Sequence, residues 1–119
     1  GFAPAHVDLG LIYRDQGKYD DAISCFEQAT RIDPSIASAW VNLADQLGQV
    51  SRLDEAITAI NRALQIDDRF ATAHAVEAEL LARASKPEAA AVALGKAKQL
   101  APNGERVVRA AAFVKSAAA

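Results

Sequence analysis

Ala29, Ala63 and Ala97 are evenly spaced along the chain, at a step of about 34 residues. The landmarks around them keep the same step. Gly10, Ala44 and Ala78 share one register, as do Tyr13, Leu47 and Leu81, then Ala22, Ala56 and Ala90. Phe26, Ile60 and Leu94 form the next set, Ile32, Ile66 and Leu100 another, and Pro34, Asp68 and Pro102 close the unit. Small residues meet small and bulky residues meet bulky. A chain with this period must build one local structure repeatedly and stack the copies, because one such unit cannot bury its apolar face alone.

Within a unit the step is helical. Trp40, Leu43, Ala44 and Leu47 recur at spacings of three and four, and Leu53, Ala56, Ile60, Ala63 and Ile66 resume the pattern after a polar break at 49–52. Two helices joined by a short turn follow from that, a helical hairpin. The spacing predicts helices over about Ala3–Gln16, Tyr19–Ile32, Ile36–Val50, Leu53–Asp67, Phe70–Ala84 and Pro87 to just before Pro102. Gly17 suits the left-handed residue past a helix end. Asp20 and Asp21, Asp54 and Glu55, and Glu88 fall in first turns, where a carboxylate favours the positive end of the helix dipole. After the Asn103-Gly104 turn a seventh helix is expected over Glu105–Ala117. It should turn Val107, Val108, Ala111 and Phe113 toward the array and keep Arg106, Arg109 and Lys115 on other faces, covering the last hairpin as a polar cap.

These residues give the chain a family likeness. It resembles the tetratricopeptide repeat family, whose motif runs Trp, Leu-Gly, Tyr, Ala, Phe, Ala, Pro at fixed offsets. The first copy supplies Leu9, Gly10, Tyr13, Gly17, Tyr19, Ala22, Phe26, Ala29 and Pro34. The second supplies Trp40, Leu43, Ala44, Leu53, Ala56 and Ala63, and the third Ala78, Ala90, Leu94, Ala97 and Pro102. The departures are His6 and His74 in place of Trp, and Glu77 in place of Leu. The resemblance implies an all-α fold, a right-handed α-solenoid of three helix-turn-helix repeats at about 3–36, 37–70 and 71–104. A capping helix at about 105–117 completes a single domain over 1–119.

Composition adds exclusions. Thirteen Lys and Arg against 15 Asp and Glu leave a net charge of −2, which suggests neither nucleic acid nor an anionic membrane as partner. No apolar run approaches the ~18 residues of a membrane span, and no secretory signal is present. The chain holds no methionine and starts at the first repeat, which reads as a fragment of a longer protein, cytoplasmic by default. Cys25, beside Phe26 on a helix, reads as packing. His6 and His74 occupy one repeat position with a whole hairpin between them, too far apart to share a metal. No phosphate loop, nucleophile–base pair or metal-ligand spacing occurs, so neither an enzyme nor a cofactor is expected.

The resemblance directs attention to a concave groove lined by the first helix of each repeat. Its positions here are Val7, Leu11 and Arg14, then Val41, Asn42, Asp45 and Gln49, then Ala75, Val76, Glu79 and Arg83. Asp45 and Glu79 share a repeat position and should lie side by side. Two adjacent carboxylates repel, and either a basic ligand side chain or Arg83 or Arg109 of the chain itself would relieve them. One subset of the family grips chaperone C-terminal carboxylates with lysines, an arginine and two asparagines. Only Asn42 matches that set; Val7, Leu11, Thr72 and Val76 fill the other places, so a chaperone-tail binder is not expected. The family's role implies a protein-interaction module taking a peptide or helix with a basic or apolar segment. The alternative is self-association, giving a homo-oligomer or a spacer in a larger protein.

Overall fold

The computed structural model describes residues 2–118. Seven helices follow in order: α1 (Ala3–Asp15), α2 (Tyr19–Ile32), α3 (Ala37–Gln49), α4 (Leu53–Ile66), α5 (Ala71–Arg83), α6 (Pro87–Leu100) and α7 (Glu105–Ala118). Each lies within two residues of the sequence expectation, and no strand occurs among the described residues. Ile36 and Phe70, expected as first helical residues, are extended N-caps instead (φ −88°, ψ 98° and φ −87°, ψ 99°). The pairs α1/α2, α3/α4 and α5/α6 are hairpins stacked as a right-handed α-solenoid, with extents of 42 × 25 × 24 Å.

The hairpin turns repeat with the period of the sequence. Gly17, Ser51 and Ser85 all take the left-handed conformation, at φ 74°, 63° and 60°. Glycine adopts it freely, whereas the two serines hold it at a cost of about 1 kcal/mol each. In each turn the residue one further on donates its N–H back to the helix: Lys18 to Tyr13 O, Arg52 to Leu47 O and Lys86 to Leu81 O, all at 2.9 Å. These bonds satisfy carbonyls that a helix C-terminus otherwise leaves open.

Small residues set the helix separation and large ones fill it. Ala22, Ala56 and Ala90 are fully buried, as are Ala29, Ala63 and Ala97. Phe26 and Ile60 are also fully buried, and Leu94 in the same register is 9% exposed. The backbone of α1 comes so close to α2 that a Cβ on Gly10 would lie 2.6 Å from Phe26 Cε1. That contact is shorter than any packed core tolerates, so the glycine is a condition of the aromatic opposite it.

Trp40 departs from the interior role its place in the motif suggests. It is half-buried, its Nε1 donates to Pro34 O at 2.9 Å, and Arg62 stacks over its ring at 5.2 Å. His74 Nε2 donates to Asp68 O at 2.7 Å, the same bond one repeat later. The imidazole therefore replaces the indole by keeping a ring N–H aimed at the carbonyl that closes the preceding unit. Glu77, the other departure, lies 3.6 Å from His74 Nδ1. Trp40→Ala should cost about 1–2 kcal/mol, the loss of a partly exposed ring and one hydrogen bond. Trp40→His should cost less than half of that. Equal losses in paired urea titrations would show that the hydrogen bond contributes nothing.

The capping helix is turned differently from the expectation. Val107 and Ala110 are its buried residues, with Ala111 and Val114 packed beside them, whereas Val108 is 54% exposed. A stripe at 107, 110, 111 and 114 keeps helical spacing, and Val108 lies about 100° off it. This rotation carries Arg106 inward, onto the side formed by α3 and α5.

Candidate functional site

The first helices of the hairpins and α7 enclose a groove with two cavities. One, of about 340 Å³, is lined by Arg14, Tyr19, Asp45, Gln46, Gln49, Arg106 and Arg109. The other, of about 460 Å³, is lined by Arg14, Val41, Asn42, Asp45, Thr72, Glu105, Arg106 and Arg109. Arg14, Asp45, Arg106 and Arg109 border both, so the two form one surface.

Asp45 on α3 and Glu79 on α5 do lie side by side, as their shared register requires, and Arg106 on α7 binds both. Its Nη2 donates to Asp45 Oδ1 and to Glu79 Oε2, each at 2.7 Å, and its Nη1 to Asp45 Oδ2 at 3.2 Å. The three side chains are 17%, 20% and 12% exposed for Arg106, Asp45 and Glu79. Burial works against the charge on Arg106. Hydrogen bonds and attraction from Asp45, then Glu79, outweigh it and hold the guanidinium above its ordinary pKa. A basic group raised in this way contributes its stability below the ordinary value and loses it only as pH rises through the raised one. The clamp therefore keeps its cation at every pH at which a protein is ordinarily studied.

This arrangement changes the role of the two carboxylates. They are not open to a basic ligand, and the residue that meets them is neither Arg83 nor Arg109. Arg83 Nη1 donates to Gly48 O at 3.0 Å, and its guanidinium stacks over Phe113 at 5.2 Å. Arg109 makes no ion pair among the described residues and faces the groove. Arg14 pairs with its exposed neighbour Asp15 at 3.0 Å, a contact worth little in water.

Other expected groove residues divide by burial. Arg14, Asn42 and Gln49 border the cavities, and Val41, only 5% exposed, shows one edge. Ala75 and Val76 do not line the groove. They are 0% and 1% exposed and belong to the core, Ala75 in the cluster that α7 shares with α5 and α6, and Val76 in the main cluster with α2, α3 and α4. Val7 and Leu11 are half-buried and pack against the main core. The sequence reading had not placed Gln46 or Arg106 in the site. Gln46 is 2% exposed, and its Oε1 has no hydrogen-bond partner. The signal for Arg106 lies in the period: one repeat step carries Thr72, a groove position, onto Arg106.

Chemically reactive groups are scarce. Burial, then the charge of Asp21, push the Cys25 thiol above its ordinary pKa, which suits packing rather than nucleophilic attack. Among the described residues no group of three or more His, Cys, Asp or Glu could hold a metal ion, and no helix is long and apolar enough to cross a membrane.

Comparison with known proteins follows the fold closely. With the first TPR of Spaghetti (RPAP3), solved with the HSP90 peptide SRMEEVD, the chain shares 22% identity over 98% of its own length and 92% of that chain, at a TM-score of 0.88. The first TPR domain of human RPAP3 gives 22% identity, the same coverage and a TM-score of 0.89. The TPR domain of Arabidopsis OM64 gives 15% identity over 96% of this chain and 94% of that one, at 0.88. At these identities the likeness is one of fold. No curated protein sequence matches the chain. A family model described as tetratricopeptide repeat matches residues 7–69. With that match over more than half its length, the hairpin stack and the constant repeat register, the chain belongs to the tetratricopeptide repeat family.

Proposed function

We propose that the chain is a protein-interaction module whose groove takes a segment of a partner carrying at least one carboxylate side chain. One observation carries this reading. The smaller cavity is lined by three arginines and a single carboxylate, Asp45, which Arg106 already holds. Arg109, and Arg14 with only its exposed pair, are left as donors to something outside the chain. Structural neighbours support the class of role: the second TPR domain of human RPAP3 was solved with the HSP70 peptide SGPTIEEVD, and the first TPR of Spaghetti with the HSP90 peptide SRMEEVD.

The places in which the chaperone-binding subset has its carboxylate donors hold Val7, Leu11, Thr72 and Val76 here. The contact should therefore be with acidic side chains within the segment and not with a chain terminus. Fluorescence anisotropy with an acidic peptide library tests this. Acidic peptides should bind more tightly than their Gln-substituted versions, and C-terminal amidation should change little, in SRMEEVD as elsewhere. Arg109→Glu should weaken binding by roughly tenfold or more, the scale of one lost charge contact. Equal binding of acidic and neutral peptides, or indifference to Arg109→Glu, would remove the reading.

A further inference from the structure

The two ends of the solenoid both present apolar surface, and their charges are opposite. At the N-terminal end α1 turns Leu9 and Ile12 outward, 41% and 53% exposed. Asp8 and Asp15 run along one edge of that stripe at helical spacing. The register explains the exposure. Leu9 and Ile12 are the counterparts, one repeat earlier, of Leu43 and Gln46, which are 6% and 2% exposed in the interior of the stack. In α1 no hairpin precedes them among the described residues.

At the other end α6 and α7 leave an open groove of about 770 Å³. Ala91, Leu94, Ala111 and Val114 give it an apolar lining, Lys98 and Lys115 are its charged residues, and no acidic side chain lines it. Ala112, also in this lining, stands one repeat after Ala78, which is fully buried in the cluster that α6 completes. The groove is thus the seat that a further helix would occupy if the stack continued.

We propose that the chain associates head to tail, the α1 stripe of one copy seated in the α6–α7 groove of the next. Leu9 and Ile12 supply the apolar ridge, and Asp8 and Asp15 meet Lys98 and Lys115. Charge selects this pairing over the symmetric ones. Two α6–α7 ends would bring four lysines together, and two α1 ends would oppose their aspartates. A head-to-tail contact uses two different patches, so it leaves one free patch at each end of every assembly and permits chains longer than a dimer. The interface is small, so the association is concentration-dependent. It rests on the two ends and is independent of the groove reading.

Sedimentation velocity on the 119-residue chain, from micromolar to millimolar, tests it with two variants at exposed positions. Ile12→Lys places a cation in the α1 stripe, and Ala91→Glu places a carboxylate in the seat. Each alone should weaken self-association by on the order of tenfold or more, with an unchanged circular dichroism spectrum. Mixed in equal amounts, the two should associate again, because one intact stripe and one intact seat remain between them. Added salt should weaken the wild-type association. A wild-type chain that stays monomeric overturns the proposal. So does association blocked by Ala91→Glu but not by Ile12→Lys, which is seat-to-seat pairing, and so does a mixture that fails to associate.

Discussion

Phe26→Ala is expected to destabilise the chain by about 3–5 kcal/mol, the usual cost of deleting a fully buried aromatic ring. The upper half of that range applies because the site cannot close. Gly10 has no side chain to move into the space, and Ala22 and Ala29 on the same helix are already at the limit of approach. A domain of this size has about 5–15 kcal/mol in all, so roughly a quarter or more of the stability would go. Phe26→Leu should recover most of the loss, since Ile60 and Leu94 fill the same place in the next two units. The measurement is the urea midpoint of the three proteins at constant slope. A Phe26→Ala loss below about 1 kcal/mol would mean that the hairpins do not pack in the register described.

Arg106→Leu is the second large effect, expected at about 2–4 kcal/mol. Removing one member of a buried ionic group costs more than the group contributes, because the remaining charges are left dry. Here two carboxylates would be left facing each other, largely buried. Residual exposure of all three side chains keeps the figure below that of a fully dry cluster. A triple variant that adds Asp45→Asn and Glu79→Gln should regain most of the deficit, because the repulsion disappears with the charges. If Arg106→Leu is as stable as the triple variant, the two carboxylates are hydrated and the clamp contributes nothing to the fold.

The architecture was legible because it is written in size classes. Ala22, Ala56 and Ala90, with Phe26, Ile60 and Leu94 four residues on, fix which faces meet before any contact is seen. The candidate site was less legible. Ala75 and Val76 share register with groove-side positions earlier in the chain, but Val76 packs into the main core and Ala75 into the cluster that α7 completes, and the second of these depends on how the cap rotates. The two adjacent valines, Val107 and Val108, left that rotation open by about 100°, since either could have led the stripe. Arg106 was placed outward for the same reason. Carrying the repeat register one step past Leu100 would have marked it as a groove-side residue, because it falls on the Thr72 position. Gln46 was hidden differently. Its register mates are Ile12 and Leu80, both apolar, so nothing in the pattern marked an amide at that depth.

A stack in which each hairpin touches only its neighbours behaves as a spring, and its curvature responds to load. The clamp from Arg106 to Asp45 and Glu79 is a strut across three successive turns of that spring. A second one runs beside it, from Gly48 through Arg83 to Phe113. Bending from α3 to α7 is therefore opposed by two struts, and among the described residues no such side-chain link ties the first hairpin to the rest. In the proposed function, a segment entering the groove would meet one braced jaw, carrying Arg109, and one unbraced jaw, carrying Arg14. The braced jaw would lower the ordering cost of binding, and the unbraced one would let segments of different thickness be accepted at the same site.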